Sequence, residues 1–175
     1  MGGALRVKSA PGKGSEFYFT LTLPKGQMPR EPEGEPQTKE GALHGVRILL
    51  AEDNDLNAEI AAELLRFQGA RVTRAENGAI ALRMFEQSQP GAFDCILMDI
   101  MMPEMGGLEA TAAIRALSHP NAKTIPIVAM TANAFQEDRN AALAAGMNGF
   151  VPKPIDMNLL FQELRRVLKA PQSFQ

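Results

Sequence analysis

From residue 46 onward, apolar and polar residues alternate in blocks that predict strands and helices in turn. Short apolar runs bounded by turn residues are typical of buried strands, and longer stretches with apolar residues three or four apart are typical of helices. The predicted strands are residues 46–51, 70–75, 93–98, 125–130 and 150–151. The predicted helices are residues 55–68, 78–87, 108–117, 134–145 and 156–168. This alternation indicates an α/β fold, a doubly wound five-stranded parallel sheet with helices on both faces.

The third predicted strand is the most informative stretch, because it is almost wholly apolar and ends on a carboxylate. It reads FDCILMD and is followed by a Met-Met-Pro-Glu-Met-Gly-Gly loop. In open α/β sheets, ligands bind at the carboxyl ends of the strands. Asp99 therefore lies where chemistry is expected, although a helix cap or a solvated loop residue would look the same at this point.

Residues 1–24 contain two further strand candidates, 4–10 and 16–23, separated by a Pro-Gly-Lys-Gly-Ser turn. A lone two-stranded hairpin is marginal in water, so this fragment should belong to something larger. The Gly-Lys-Gly turn is disfavoured as a phosphate-binding loop, because a strand follows it rather than a helix N-terminus.

Residues 25–45 are rich in proline, glycine and charge, which predicts a semi-extended linker. His44 in this linker and His119 in a later loop are predicted to be exposed.

The net charge of −2 and the lack of a basic cluster argue against nucleic acid as a partner. The single cysteine, Cys95, is predicted to be a small buried hydrophobe. No apolar run approaches the roughly 18 residues that a membrane span needs, so this segment is predicted to make no membrane contact.

Polar residues follow four of the predicted strands and should meet at one edge of the sheet: Glu52, Asp53, Asp99, Thr131 and Lys153. Two carboxylates about 5 Å apart repel by roughly 3 kcal/mol at an effective dielectric near 20, so a proton or a cation is needed between them. An all-oxygen site with room for waters suits Mg²⁺, or Mn²⁺ in its place. A carboxylate, a metal, an ammonium and a hydroxyl together are the parts of a phosphoryl-transfer site.

The motifs AEDN, LMDIMMPEMGG, AMTA and Lys-Pro occur in the order and spacing of the receiver domain of response regulators, which residues 46–169 resemble. The resemblance implies a flavodoxin-like sheet of strand order 2-1-3-4-5. It implies that Asp99 is the phosphoacceptor and that Glu52 and Asp53 bind the metal with Asp99 and the backbone carbonyl of Met101.

The resemblance also assigns roles at the last two strands. Thr131 and Lys153 would contact the phosphoryl group, and Phe150 would be the switch aromatic that moves as Thr131 is drawn toward the phosphate. A cis peptide bond is expected between Lys153 and Pro154.

Residues 1–24 resemble the end of the ATP-binding domain of sensor histidine kinases, in the GG pair, the S-x-P-G-x-G-S turn and the F-x-F-x-L-P strand. The asparagine box and the phosphorylated-histidine helix of that family are absent, which implies origin rather than kinase activity. The expected organisation is a kinase-domain end (1–24), a linker (25–45), a receiver (46–169) and a tail (170–175) without an output domain. A cytoplasmic phosphorelay is implied, with a kinase phosphohistidine as donor and a histidine-containing phosphotransfer domain as acceptor.

Other functional hypotheses fit the same residues less well. A haloacid-dehalogenase-type phosphatase needs a second aspartate at position 101, which is methionine, and a dinucleotide-binding unit needs a glycine-rich turn after the first strand. A degenerate receiver that acts only as a docking module stays open. An active kinase fragment is the remaining enzyme hypothesis, and the absent catalytic boxes argue against it. As a receiver, the fragment would catalyse only its own phosphorylation and dephosphorylation.

The first helix carries more apolar residues than one buried face requires. The polar residues form one stripe: Asp55, Glu59, Glu63 and Arg66. The residues predicted to meet the sheet, on the face of Asn57, are Ile60, Ala61 and Leu64. The flanks are left with Leu56 and Phe67 on one side and Ala58, Ala62 and Leu65 on the other. A docking face for the phosphotransfer partner is predicted on these flanks, chiefly at Leu56, Ala58, Ala62 and Leu65, unless they simply contact neighbouring elements.

Overall fold

The structure of the protein, a computed structural model, describes residues 5–20, 41–132 and 136–169. Most of the predicted linker, the predicted tail and the ends of some predicted elements lie outside these residues. The chain divides into two compact units, Met1–Glu35 and Pro36–Gln175. No helix in the described ranges combines the length and the apolar character needed to cross a bilayer.

The first unit contains an antiparallel hairpin of β1 (Leu5–Ala10) and β2 (Gly14–Phe19), as predicted. Val7 lies opposite Phe17 in the register. These two side chains and Phe19 are all more than half exposed. The hairpin therefore presents apolar side chains to solvent, a feature that an isolated stable hairpin would not be expected to have.

The second unit alternates strands and helices throughout. Its strands are β3 (Arg47–Ala51), β4 (Arg71–Ala75), β5 (Cys95–Asp99), β6 (Ile127–Thr131) and β7 (Gly149–Pro152). Its helices are α1 (Asp55–Phe67), α2 (Gly78–Glu86), α3 (Gly107–Ala116), α4 (Gln136–Ala144) and α5 (Met157–Lys169). Asp156 caps α5, because its Oδ1 accepts hydrogen bonds from the backbone N–H groups of Asn158 and Leu159.

All five strands of this unit are parallel, in the order β4-β3-β5-β6-β7. Counted within the unit this is the order 2-1-3-4-5, which confirms the predicted fold class. The central strand β5 is buried along its whole length. Cys95 at its start is fully buried, and this burial raises the pKa of its thiol to about 12, so the residue is a buried hydrophobe rather than a reactive thiol.

Successive residues of each central strand point to opposite faces, and each face has its own core. Ile48 and Leu97 belong to the core beneath α1 and α5, together with Leu65 and Leu164. Leu49 and Ile96 belong to the core on the other face, which α2, α3 and α4 cover. The sheet is thus doubly wound, and its carboxyl edge is left open for the functional groups.

The orientation of α1 differs from the prediction. The residues that it buries are Ala58, Ala61, Ala62 and Leu65. Ile60 and Leu64, which were expected to meet the sheet, are exposed. The prediction was therefore wrong to place Ala58, Ala62 and Leu65 on a free docking face. The physical reason is that the small alanines let the helix backbone approach the sheet closely. Asn57 does not mark the sheet-facing side, because its side chain reaches from the first turn of α1 to the carboxylate of Glu52.

The packed core begins before the predicted receiver boundary, and the two histidines differ in their exposure. Leu43 is fully buried in the core with α1, so the packed domain extends into the predicted linker. His44 beside it is exposed, as predicted. His119 was wrongly predicted to be exposed, since it is partly buried. It accepts a hydrogen bond from Asn121 N at 3.1 Å, and its ring centroid lies 4.5 Å from that of Phe85.

Candidate active site

The carboxyl ends of four parallel strands bring the predicted polar residues together. Glu52 and Asp53 follow β3, Asp99 ends β5, Thr131 ends β6, and Lys153 follows β7. Because β3, β5, β6 and β7 are consecutive neighbours in the sheet, their ends form one continuous edge. The sequence-predicted groups thus share one site.

Three carboxylates form the centre of this site. Glu52, Asp53 and Asp99 each offer an oxygen atom, and these oxygens lie within 4.8 Å of one another. Glu52 and Asp99 are buried, at 1% and 5% exposure, whereas Asp53 is exposed. A set of hard oxygen donors, open to solvent on one side, fits a Mg²⁺ ion that keeps some of its waters.

The ammonium of Lys153 bridges the two buried carboxylates. Its Nζ donates to Oε2 of Glu52 at 2.5 Å and to Oδ2 of Asp99 at 2.6 Å. Burial by itself lowers the pKa of Lys153, but the hydrogen bonds that its ammonium donates to Asp99 and Glu52, together with their negative charges, outweigh this effect and raise the pKa. Lys153 is therefore a cation fixed beside the carboxylate that ends the central strand. Its bond to Pro154 is cis, as expected.

The backbone around Asp99 is closely packed. The amide N–H of Met101 donates to Oδ1 of Asp99 at 3.1 Å, so both carboxylate oxygens are held. A Cβ on Gly107 would lie 2.1 Å from the carbonyl oxygen of Asp99. Only glycine fits at that position, and this lets α3 begin directly beside the end of β5.

The last two strands place the remaining predicted residues. Thr131 is buried at the end of β6. Phe150 is partly buried on β7, where it pairs with Ala129. Its ring lies 5.5 Å from the guanidinium of Arg139, and its backbone N–H donates to Oε1 of Glu163. Thr131 and Phe150 thus occupy neighbouring strands, and Thr131 lies at the strand ends that carry the acidic cluster.

Asn57 also belongs to the site, which was not predicted from the sequence. Its Nδ2 donates to Oε1 of Glu52 at 3.1 Å, while Lys153 occupies the other oxygen of Glu52. Its backbone N–H is capped by Oδ1 of Asn54. The Glu-Asp-Asn-x-x-Asn spacing was a usable signal, since a residue in the first helical turn can reach back to the strand end.

The arrangement suits attack by a carboxylate on a phosphoryl group. In such a reaction Asp99 would supply the nucleophilic oxygen, Lys153 would supply positive charge, and Thr131 would supply a hydroxyl. In phosphoryl transfer, positioning and electrostatic stabilisation of the equatorial oxygens provide almost all of the catalysis. The site has groups for each of these tasks.

Comparison with known proteins agrees with this geometry. The family profile of the response regulator receiver domain matches residues 48–165. Hybrid signal transduction histidine kinase I of Dictyostelium discoideum is 41% identical over 118 residues, which is 66% of this chain and 7% of that protein. Aerobic respiration control sensor protein ArcB of Escherichia coli (strain K12) is 34% identical over 166 residues, which is 95% of this chain and 20% of that protein. The chain thus spans a fifth or less of the length of these curated relatives.

A solved structure is similar across the second unit. The receiver domain of sensor histidine kinase PA1611 from Pseudomonas aeruginosa PAO1, with a magnesium ion coordinated in the active site cleft, is 42% identical and has a TM-score of 0.60. The match covers 71% of this chain and 95% of that one. Together with the fold and the carboxylates at the sheet edge, these matches show that the chain belongs to the response regulator receiver domain family, as found in hybrid histidine kinases.

Proposed function

We propose that Asp99 accepts a phosphoryl group from a kinase phosphohistidine and that the group then passes to a histidine-containing phosphotransfer domain. The observation that supports this most is the double pairing of Lys153 with Asp99 and Glu52 at the carboxyl edge of the sheet. A phosphoacceptor role in two-component signalling is the general property of the family to which the chain belongs.

The proposed reaction transfers one phosphoryl group between two side chains. A carboxylate oxygen of Asp99 attacks phosphorus, a P–O bond forms, and the P–N bond to the donor imidazole breaks. The imidazole takes up a proton as it leaves. Lys153 holds the nucleophilic carboxylate in place and offsets the negative charge of the incoming group, while the N–H of Met101 fixes the other carboxylate oxygen.

Mg²⁺, or Mn²⁺ in its place, is the proposed cofactor. Glu52, Asp53, Asp99 and the backbone carbonyl of Met101 would hold it, and the spacing of the three carboxylates fits such an ion. The bound metal would neutralise charge on the phosphoryl oxygens. A magnesium ion occupies the active site cleft of the similar PA1611 receiver domain, which supports the assignment.

Thr131 and Phe150 are proposed as the switch. The hydroxyl of Thr131 would contact the new phosphoryl group, and its movement would change the space available to the Phe150 ring on the adjacent strand. Their burial and their neighbouring strands support this coupling. Phe150 has no hydroxyl, so its movement would change only the packing of its ring, including the contact with Arg139.

The exposed side of α1 is proposed as the docking face for the phosphotransfer partner. It consists of Leu56, Ile60, Leu64 and Phe67, which are between 38% and 71% exposed. Their spacing of four, four and three residues places them on a single stripe, opposite the alanines that meet the sheet. Leu56 lies nearest the acidic cluster. The proposed docking face thus shares Leu56 with the predicted set and replaces its buried members with exposed residues. An apolar stripe of this kind fits the helices of a phosphotransfer domain.

Residues 1–24 are proposed to be the end of a kinase ATP-binding domain, followed by a linker to the receiver. The match with ArcB extends over 95% of the chain, so it is not confined to the receiver. The exposed apolar side chains of the hairpin also fit a strand pair taken from a larger sheet.

A transfer assay tests the proposed relay. The chain is phosphorylated with acetyl phosphate and Mg²⁺, freed of donor, and mixed with a panel of purified phosphotransfer domains. We expect phosphate to move to a histidine of at least one domain and to be lost from the chain at the same rate. Binding of a domain without labelling of the chain would instead support the degenerate docking module.

A further inference from the structure

The loop after Asp99 contains the one non-glycine residue with a positive φ among those that the structure describes, Glu104 at 64°. The N–H of Met105 donates to the carbonyl of Pro103 at 2.7 Å, which closes a three-residue γ-turn around Glu104. The positive-φ form of this turn is rare and strained, and such a residue costs about 1–3 kcal/mol. Glycine would adopt this conformation at lower cost, so the glutamate side chain must contribute something that glycine lacks.

That side chain is held by a buried amide. Oε2 of Glu104 accepts a hydrogen bond from Nδ2 of Asn77 at 3.0 Å. Asn77 is only 6% exposed, and its Oδ1 accepts from the backbone N–H of Ile80 at 2.8 Å, which caps α2. Both polar atoms of the Asn77 amide are therefore used, one on its own helix and one on the loop.

A second contact ties the loop to the same helix start. Gly78 N donates to the carbonyl of Met105 at 3.1 Å, and a Cβ on Gly78 would lie 2.4 Å from that oxygen. The loop is thus held at its middle by the start of α2, and at its beginning by the bond between Met101 N and Asp99. The segment between these two points includes the backbone carbonyl of Met101.

We propose that Asn77 and Glu104 form a positioning pair for the metal site. The pair holds the strained turn so that the carbonyl of Met101 faces the carboxylates in the geometry that a divalent cation requires. The inference rests on the proposed metal site, and it assigns a role to two residues that do not themselves contact the ion. Partners of this kind typically change metal affinity by about 10–100-fold when removed.

Mn²⁺ binding by the full chain, followed by electron paramagnetic resonance without any phosphodonor, tests the proposal. Glu104→Gly removes the hydrogen bond and relieves the backbone strain together. We expect its melting temperature to be equal to or higher than that of the wild type, while its Mn²⁺ affinity falls about tenfold. Equal affinity in the wild type and Glu104→Gly would overturn the proposal, as would the absence of Mn²⁺ binding to the wild type.

Glu104→Gln separates positioning from charge, because its amide oxygen still accepts from Asn77 but carries no charge. We expect it to retain affinity within about twofold of the wild type, since the hydrogen bond rather than the charge is what matters. Glu76→Gln, which removes an exposed charge next to Asn77, is the matched control. A loss in Glu104→Gln as large as in Glu104→Gly would overturn the pair and assign the effect to charge. Mn²⁺ binding with no labelling of the wild type by acetyl phosphate would contradict the proposed function while leaving this test intact.

Discussion

Nζ of Lys153 lies 2.6 Å from Oδ2 of Asp99 and 2.5 Å from Oε2 of Glu52, so one ammonium pairs with both buried carboxylates. Without it, two buried charges about 5 Å apart would repel by roughly 3 kcal/mol at an effective dielectric near 20. Lys153 therefore acts as the resident counter-ion of the site. A divalent cation and this ammonium would both neutralise the negative charge of the two carboxylates, so removing the ammonium should change metal binding.

Lys153→Ala should separate metal binding from phosphorylation. Removing the ammonium leaves the carboxylates more negative, so we expect Mn²⁺ to bind more tightly. The phosphoryl group would lose a fixed cation, so labelling by acetyl phosphate should slow by about tenfold or more. A manganese titration without other divalent cations measures the first effect, and labelling rates at saturating Mg²⁺ measure the second. Unchanged labelling in Lys153→Ala would contradict the role given to the ammonium.

The exposed stripe on α1 gives a second prediction. Leu56→Glu and Phe67→Glu place a charge on the proposed docking face, and each should slow transfer to the phosphotransfer domain by about tenfold, equivalent to about 1.4 kcal/mol. Labelling by acetyl phosphate should stay at the wild-type rate, because neither residue belongs to the site. Gln162→Glu, which adds the same charge on the exposed side of α5, is the matched control. Transfer that is slowed equally by the control would argue against a docking face on α1.

A third prediction concerns pH and the start of the central strand. Hydrogen bonds from the Arg47 side chain lower the pKa of Asp94 despite partial burial, with help from the Arg47 backbone N–H and charge. Because the pKa of Asp94 is lower in the folded state than in the unfolded state, the unfolded chain binds more protons at pH values near and between these two pKa values. The stabilisation is therefore present above the unfolded pKa, about 3.9, and is lost as the pH falls through the folded value.

Thermal unfolding from pH 6 to pH 3 measures this effect. We expect Asp94→Asn to be less stable than the wild type at pH 6 and to lose less stability on acidification. Glu59→Gln, an exposed carboxyl on α1, should follow the wild-type curve. Parallel curves for the wild type and Asp94→Asn would show that this ion pair does not link stability to pH.

The order of the elements and the members of the acidic cluster could be predicted from the sequence, because both depend on local patterns. Apolar runs mark the buried strands, and parallel strands bring residues at their ends together without further information. Asp99, Glu52 and Lys153 were placed correctly for this reason.

The face of α1 could not be predicted in the same way. Large and small apolar residues surround most of this helix, and pattern alone does not say which set meets the sheet. Close packing selected Ala58, Ala61 and Ala62 and left Ile60 and Leu64 exposed. The contacts of Asn77, Glu104 and His119 were missed for another reason, since each depends on a loop conformation that tertiary packing decides.

Chemical identification of the phosphorylated residue decides whether Asp99 is the phosphoacceptor. The chain is incubated with acetyl phosphate and Mg²⁺, reduced with sodium borohydride, which converts an acyl phosphate to the corresponding alcohol, and digested for peptide mass spectrometry. We expect homoserine at position 99 in the wild type and no modified residue in a folded Asp99→Asn variant. A contrary result would be homoserine at position 53, or 2-amino-5-hydroxypentanoic acid from a reduced glutamyl phosphate at position 52, in place of homoserine at position 99. Labelling of Asp99→Asn at the wild-type level would equally contradict the assignment.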